Sequence, residues 1–286
     1  MMRLVFTTAI VFSMAFGCSL LAEGLIQASL QSQYGLSEGD TVVVGLEIYS
    51  ELALGGVDFT AHYDSSKLAF VGVEQGTGLN HWELFTPSEA DSFSLIQVVA
   101  IADIQNGSAH PGPQDFYPHG VAAYYTFVVT GAFAETPLEF FWLRCGDNAA
   151  SNKEGDSLLV ISRLLNSDGS VFWDENDDLG FPEPARPPHI GLPDSCIQRA
   201  TTVYYVVEMT NGVLSTEYTC GDANGDGFVN IADGVHIIQY IFSQGPPPRP
   251  LLAGDLNCDA TANITDVVYL IQYIFSSGPE PCAECP

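Results

Sequence analysis

The feature that most restricts how this chain folds is an internal repeat near its C-terminal end. The segment GDANGDGFVNIADGVHIIQYIFSQGP begins at Gly221 and recurs 33 residues later as GDLNCDATANITDVVYLIQYIFSSGP, which begins at Gly254. Each copy has Asp, Asn and Asp at alternate positions and then runs into an apolar stretch. A duplication of this kind indicates two copies of one small structural unit rather than two unrelated acidic turns.

The spacing of oxygen-bearing side chains in each copy predicts a calcium loop. Calcium takes about six to eight oxygen ligands at about 2.3 to 2.6 Å, so a loop must turn alternate side chains toward one point. Gly227 occupies the sharp turn of the first loop, where a calcium loop of this type has glycine. We therefore predict two bound calcium ions. The predicted ligands are Asp222, Asn224, Asp226, the Phe228 carbonyl, Asn230 and Asp233 in loop one, and Asp255, Asn257, Asp259, the Thr261 carbonyl, Asn263 and Asp266 in loop two.

Loop two differs from loop one at the turn, where Ala260 stands in place of glycine. If that turn requires a positive φ, alanine is strained there and the second site binds calcium more weakly. Cys258 also lies within loop two and is not a hard ligand of the kind that calcium prefers. We expect the Cys258 side chain to point outward.

A helical run is predicted after each loop, over 235–242 and 267–275, because its apolar residues recur with helical spacing. The Ser, Gly and Pro residues that follow are expected to end each helix. Each unit thus has one loop and one following helix, with Asp at loop position 12. Over about 220–281 this combination resembles the dockerin type I family.

The resemblance implies a calcium-folded module that attaches its carrier to a cohesin-type protein domain. It places the partner contacts at loop positions 10 and 11 and on the helix after them. Positions 10 and 11 are Ile231 and Ala232 in copy one and Ile264 and Thr265 in copy two. The Ser-Thr pair and the basic helix residues of cellulosomal dockerins are absent here. Packing between the two helices is the alternative role for these apolar residues.

The region 25–170 predicts a β-sandwich. Apolar and polar residues alternate there in short runs separated by Gly, Pro, Asn and Asp, which is the all-β pattern. The predicted fold class is therefore mainly β, a sandwich followed by a small α-helical calcium-binding module at 218–286. The clearest predicted strands are 41–49, 57–63, 68–73, 93–102, 122–129, 138–143 and 158–165.

The stretch VVVGLEIYSELALGGVDFTAHYDSSKLAFVGVEQG contains a turn of the form Asp-x-x-x-Leu, from Asp64 to Leu68. It resembles the first strands of a cohesin-like or carbohydrate-binding-like sandwich, which implies binding of a protein or a polysaccharide. Aromatic side chains hold sugars by stacking on their apolar faces. Trp82 and Trp173, in polar loop-like contexts, are the first candidates, and most of the others, Tyr117, Tyr124, Tyr125 and Trp142, are expected in the core.

The segment 171–217 is predicted to contain a Pro- and acid-rich stretch and a closing hairpin, with the domain boundary near Tyr218. Its first part, 174–193, is rich in acid, Pro and Gly and is unsuited to a regular central strand. The apolar run 202–209 and the Thr-Asn-Gly-Val turn after it predict one strand of a closing hairpin.

The N-terminal residues 1–22 predict a signal peptide, because a positive start at Arg3 precedes an apolar run over 4–16 that is too short to span a membrane. The protein is then expected to be secreted or held at the cell surface, with a lipid anchor at Cys18 as the alternative. The net charge of −27 excludes nucleic acid as a partner.

Six cysteines follow the predicted signal peptide, an even number in a compartment where disulfides persist. We expect Cys145 to pair with Cys196 and Cys220 to pair with the tail. A zinc site of four thiolates, formed by Cys220, Cys258, Cys282 and Cys285, is the weaker alternative.

No catalytic constellation stands out, so the protein is predicted not to be an enzyme. Five acidic residues are available as a glycosidase pair, but the sequence places no two of them across a cleft. The predicted function is extracellular, calcium-dependent binding, with a tail that docks on a cohesin-type partner and a sandwich that binds polysaccharide or protein. The alternatives are a component of polysaccharide degradation and a tail that clamps its own sandwich. The acidic candidates are Glu47, Asp58, Glu74, Glu83 and Glu139.

Overall fold

The computed structural model describes residues 26–90, 94–104, 111–131, 133–142, 147–174 and 203–282. The predicted signal peptide with Cys18 lies outside these residues, as do Cys145, Cys196, Cys285 and the Pro-rich segment from 175 onward.

The described residues form a β-rich body followed by two α-helices. Each of the seven predicted strands overlaps an observed one, whereas β1, β5, β9, β11 and β13 were not predicted. The elements are β1 Ile26–Leu30, β2 Thr41–Ser50, β3 Leu54–His62, β4 Leu68–Gln75, β5 Leu84–Ala90, β6 Leu95–Ile101, β7 His119–Val129, β8 Glu135–Phe140, β9 Ala149–Asn152, β10 Leu158–Leu165, β11 Val171–Asp174, β12 Val203–Thr210, β13 Gly212–Ser215, α1 Ile231–Ser243 and α2 Ile264–Ser276.

The strands form a two-layered sandwich that is closed along one side. One layer has the order β4-β7-β2-β1-β12-β10, and the other contains β5, β6, β3, β8 and β13. The short strand β9 pairs with both β10 and β3, which makes the hydrogen-bonded path continuous between the layers. The turn from Asp64 to Leu68 connects β3 to β4, as predicted, and the Asp64 side chain accepts a hydrogen bond from the Ser66 N–H at 2.9 Å.

The core lies between the two layers and follows from the alternation of apolar residues along each strand. In β2, Val42, Val44, Leu46 and Ile48 all point inward and are almost fully buried. They meet inward-facing residues of the other strands in one cluster, so the mainly β fold class is confirmed. β5 escaped prediction because it is an exposed edge strand with Pro87 in it, and proline is tolerated at edges.

The predicted closing hairpin is wrong in its pairing. β12 lies parallel to both β1 and β10 in one layer, whereas β13 pairs with β8 in the other layer. β11 also pairs with β10, so the sandwich extends beyond residue 170. The chain separates β12 from β13 by Asn211 alone, whose side chain accepts the Phe140 N–H at 2.9 Å and holds the crossing point.

The two helices pack on each other around a small separate core. Its buried members are Ala223, Ile237, Leu256, Val267 and Leu270. Both helices begin before the predicted runs and end where the Ser, Gly and Pro residues were expected to end them, each with a left-handed C-cap residue. No helix in the described part of the chain is long and apolar enough to cross a membrane.

Candidate calcium-binding and docking site

The last residues of each loop also cap the helix that follows. Asn230 is the N-cap of α1, where its Oδ1 accepts the Ala232 N–H at 2.8 Å, and Asp233 accepts the Asn230 N–H at 2.8 Å. Asn263 and Asp266 form the same reciprocal pair at α2. These capping boxes satisfy amides that the first helical turn leaves free. Loop closure and helix initiation therefore depend on the same side chains.

The first carboxylate of each loop is buried and anchors the turn. Asp222 accepts the N–H of Asp226 at 3.0 Å and the N–H of Gly227 at 2.9 Å. In loop two, Asp255 accepts the two corresponding N–H groups at 3.0 and 2.7 Å. The two loops thus have matching internal hydrogen bonds, as the repeat predicted.

Burial and close spacing raise the pKa values of two carboxylates of loop one, Asp222 and Asp233. Burial, with the nearby carboxylates of Asp233 and Asp226, raises the pKa of Asp222 to about 6. Burial and Asp226 also raise the pKa of Asp233. Among the described residues, no ion pair involves a carboxylate of either loop.

Buried carboxylates without a cationic neighbour are costly unless a cation is bound, so the donor set fits a hard cation. Within the described ranges, no three His, Cys, Asp or Glu side chains converge closely enough to hold a metal ion by themselves. The predicted ligand sets rely in addition on Asn side chains and main-chain carbonyls, which calcium accepts readily. The twelve predicted ligand residues are brought into two loops, and their coordination of calcium stays a prediction.

Loop two has left-handed backbone at residues that are not glycine. Ala260 has a φ of +66° and Cys258 has a φ of +63°, where loop one has Gly227 at +88° and Gly225 at +72°. The condition for strain at Ala260 is therefore met. Such a conformation costs a residue with a Cβ about 1 kcal/mol or more.

The exposed Cys258 side chain forms a disulfide with Cys282. This bond ties loop two to the C-terminal end of the described chain. The alternative of a zinc site with four thiolates is therefore wrong, because the sulfurs of Cys258 and Cys282 are bonded to each other and are not available as thiolates. Cys220 is disulfide-bonded as well, and Cys282 is not its partner. The predicted pairing of Cys145 with Cys196 lies outside the described residues.

Each helix carries a second apolar side that faces solvent. Phe242 at the end of α1 and Phe275 at the end of α2 are both 69% exposed. Packing between the helices involves other residues, so it does not account for these. We define stripe one as Ile231, Val235, Ile238 and Phe242, and stripe two as Ile264, Val268, Ile271 and Phe275, all of them exposed.

The stripes extend the predicted partner positions, Ile231 and Ile264, along the whole of each helix. The later members were not identified from the sequence, because one apolar face is enough to explain a helix that packs on a neighbour. The number of apolar residues in each helix could have revealed a second apolar side. Once Ile237 and Ile241 are assigned to the core, the later members of stripe one remain without a place in it.

The sandwich contacts loop one through Tyr34, in the connection between β1 and β2. The Tyr34 N–H donates to the Gly225 carbonyl at 3.0 Å, and a Cβ added to Gly227 would lie 2.7 Å from Cε2 of the Tyr34 ring. Arg249, between the two repeat units, donates to the Thr41 carbonyl at 3.2 Å. A contact between tail and sandwich was one alternative predicted from the sequence, but the residues that make it were not predicted.

The predicted sugar-binding residues are dispersed. Trp82 is a core residue, 5% exposed, with its Nε1–H donating to the Asp115 carbonyl at 2.8 Å, so its candidacy for sugar stacking is wrong. Trp173 is only half-buried, on β11. Of the remaining aromatic candidates, Tyr117 is exposed, Tyr124 is half-buried, and Tyr125 and Trp142 are buried.

The acidic candidates have structural contacts of their own. Three of them accept hydrogen bonds of 2.6 to 2.9 Å from neighbouring segments, namely Glu47, Asp58 and Glu83. Glu74 is exposed on β4 and Glu139 is buried on β8. These contacts do not single out a pair of carboxylates for glycoside hydrolysis.

The C-terminal module is similar in sequence to a known protein family. Residues 220–275 match the family model of the dockerin type I domain, which confirms the resemblance drawn from the repeat. No curated protein sequence matches the chain.

Several solved structures are similar to the chain at low sequence identity. One is a type I cohesin–dockerin complex from Clostridium thermocellum, with 13% identity over 68% of this chain and 94% of that chain and a TM-score of 0.41. Another is the seventh ScaB type I cohesin from Pseudobacteroides cellulosolvens, with 18% identity over 66% and 90% of the two chains and a TM-score of 0.39. A third is a non-cellulosomal cohesin from Archaeoglobus fulgidus, with 14% identity over 70% and 95% of the two chains and a TM-score of 0.39.

Proposed function

We propose that this chain is an extracellular, calcium-dependent binding protein whose C-terminal module docks on a cohesin-type domain through its exposed apolar stripes. The observation that carries the proposal is the pairing of the stripes. Val235 and Val268 occupy equivalent positions and are 48% and 50% exposed. Contiguous exposed apolar surface of this kind marks an interaction site, and the dockerin match of 220–275 identifies the class of module that carries it.

Calcium supports docking by ordering the stripes. Ile231 and Ile264 follow directly after the N-cap residues Asn230 and Asn263, which are also predicted calcium ligands. An ion bound by the loop would neutralise the buried carboxylates and hold the cap in place. We therefore assign two calcium ions to the module and expect docking to be lost when both are removed.

Export from the cell agrees with the disulfide between Cys258 and Cys282, because such bonds persist in oxidising compartments. The predicted signal peptide 1–22 would direct that export. A secreted or surface location is therefore part of the proposal.

For the sandwich we propose binding of polysaccharide or of a second protein, without catalysis. Tyr117, 44% exposed, and the half-buried Trp173 are the accessible aromatic candidates for a sugar ring. A role in polysaccharide degradation is the alternative. It would be supported by reducing-sugar release that disappears when one acidic residue, such as Glu139, is neutralised.

The docking proposal is tested with the full chain and a panel of type I cohesin domains, by calorimetry in calcium and in chelator. We expect binding to at least one domain in calcium only. The double variant Val235→Glu and Val268→Glu should weaken it by at least about 100-fold, since two charges would enter an apolar contact. Val43→Glu is the matched control, because Val43 on β2 is also 48% exposed. Equal losses in the control and the double variant would contradict docking through the stripes.

A further inference from the structure

The two calcium loops differ in glycine content at the places where the sandwich touches one of them. Loop one has Gly225 and Gly227, and loop two has Cys258 and Ala260 at the equivalent positions. Tyr34 contacts both glycines. A Cβ on Gly225 would lie 3.1 Å from the Tyr34 carbonyl oxygen, and one on Gly227 would lie 2.7 Å from the Tyr34 ring.

All four residues have positive φ, so turn conformation alone does not separate the loops. Loop two adopts this conformation with side chains present. What a Cβ prevents in loop one is the close approach of Tyr34. The glycines of loop one thus permit the close contact with the sandwich as well as the turn.

The contact between sandwich and module continues at Gly35, the residue after Tyr34. The N–H of Gly35 donates to the Glu217 carbonyl at 2.9 Å, just before loop one begins. Gly35 is itself closely covered, because a Cβ there would lie 2.1 Å from the carbonyl oxygen of Arg249. Tyr34 and Gly35 are therefore seated between loop one and the connection to loop two, whereas Gln33 and Leu36 on either side of them bond to β13 of the sandwich.

Within the described ranges, loop two makes no hydrogen bond to the sandwich like that of loop one. Among the described residues, no hydrogen bond made by 255–266 reaches the sandwich, and the bonds of these residues stay within the module. Loop two is instead linked covalently to the C-terminal end of the module by the disulfide from Cys258 to Cys282.

We propose that Tyr34, in the connection between β1 and β2, forms part of calcium site one, so that calcium binding by loop one and packing of the module on the sandwich are thermodynamically coupled, whereas loop two binds independently. This coupling rests on the calcium binding proposed above. It is reciprocal, since any stabilisation of loop one by Tyr34 is matched by stabilisation of the junction by calcium. Bound calcium then fixes the direction in which the stripes face relative to the sandwich.

The test isolates each site in the full chain. Asp266→Ala removes a predicted ligand of loop two only, and Asp233→Ala removes the equivalent ligand of loop one only. In the Asp266→Ala chain, where calcium binds at loop one, calorimetric titration should show that Tyr34→Ala weakens calcium binding about tenfold. In the Asp233→Ala chain, where calcium binds at loop two, Tyr34→Ala should leave the affinity unchanged, because the lost ring contact lies at loop one alone. Tyr34→Phe should resemble the parent, because the ring remains. Tyr204→Ala, on β12, is the control for loss of an exposed tyrosine away from the loops.

A second measurement needs no substitution in the junction. Amide hydrogen exchange at Tyr34 and Gly35 should slow by about tenfold when calcium is added, because their N–H groups bond to Gly225 and Glu217. Asp233→Ala should abolish that slowing and Asp266→Ala should preserve it.

The outcomes separate the coupling from the proposed function. Calcium binding at both loops with no effect of Tyr34→Ala and no change in exchange would overturn the coupling alone. Equal effects in both backgrounds would also overturn it, since they would indicate general destabilisation. Absence of calcium binding in the parent chain would overturn both.

Discussion

Ala260 in loop two adopts the left-handed backbone conformation that Gly227 adopts in loop one, with φ of +66° against +88°. The repeat therefore imposes one turn geometry on two residues of different steric freedom. Only glycine accepts this geometry without strain from a Cβ. The strained residue also anchors the turn, because the Ala260 N–H donates to Asp255 at 2.7 Å.

Replacement of Ala260 by glycine should strengthen loop two. Relief of a left-handed alanine is expected to raise its calcium affinity by about five- to tenfold, which corresponds to about 1 kcal/mol. Calorimetric titration of the full chain measures this. Ala262→Gly, in the same loop but without a positive φ, is the control and should give no gain. An equal gain in the control would show that the turn is not the limiting feature.

Removal of a loop-one carboxylate should cost more calcium affinity than removal of its counterpart. We expect Asp222→Ala and Asp226→Ala to weaken calcium binding more than Asp255→Ala does, because loop two is already compromised at Ala260. The comparison is made by titration of the three single variants. Equal losses at the two loops would contradict this ranking.

The pH dependence should have opposite signs with and without calcium. In the metal-free folded chain the pKa of Asp222 is raised from 3.8 to about 6, chiefly by burial and then by Asp233 and Asp226. The folded state then binds the proton more tightly than the unfolded state does. The contribution of Asp222 to stability is therefore greatest at low pH and is lost as pH rises through about 6. Denaturant unfolding in chelator, followed by helical circular dichroism, measures the trend.

With calcium the proton becomes a competitor. The affinity of loop one should fall about tenfold between about pH 7 and about pH 5, because one proton must leave Asp222 for each ion bound. Asp222→Asn removes the competing group and serves as the comparison. An affinity of the parent chain that stays constant over this range would contradict a titrating ligand.

Loss of the disulfide between Cys258 and Cys282 should destabilise the module. The bond spans 24 residues of sequence, and a loop of that size corresponds to about 3 kcal/mol of stabilisation through the unfolded state. The double variant Cys258→Ser and Cys282→Ser should therefore unfold at lower denaturant concentration. Its calcium affinity should fall at loop two and stay unchanged at loop one. An unfolding midpoint equal to that of the parent chain would show that the bond does not stabilise the module.

Local chemistry accounts for what the sequence predicted correctly about the module. The positions of Asp222, Asp233 and their repeat partners follow from the spacing alone, because a calcium loop and a capping box both act within about a dozen residues. The seven predicted strands succeeded for a similar reason, since alternation of burial is a property of each strand by itself.

Pairing between distant segments was not predictable in this way. The run that contains Met209 was recognised as a strand, but its insertion between β1 and β10 depends on residues far away in sequence. Trp82 was placed in a polar loop by its neighbours, and the structure buries it with its indole bonded to Asp115. Sequence context cannot report a contact made across the fold.

The sequence by itself determined the repeat, the two loops, the helices that follow and the β character of the rest, because these depend on short-range spacing. Only the tertiary structure decided which apolar residues of each helix stay exposed, that Cys258 pairs with Cys282, and that Tyr34 packs on Gly225 and Gly227. The physical reason is that the burial of a side chain and its close contacts depend on segments that are distant in sequence and pack against it only in the folded chain. Two loops with the same spacing of predicted ligands are therefore placed in different surroundings.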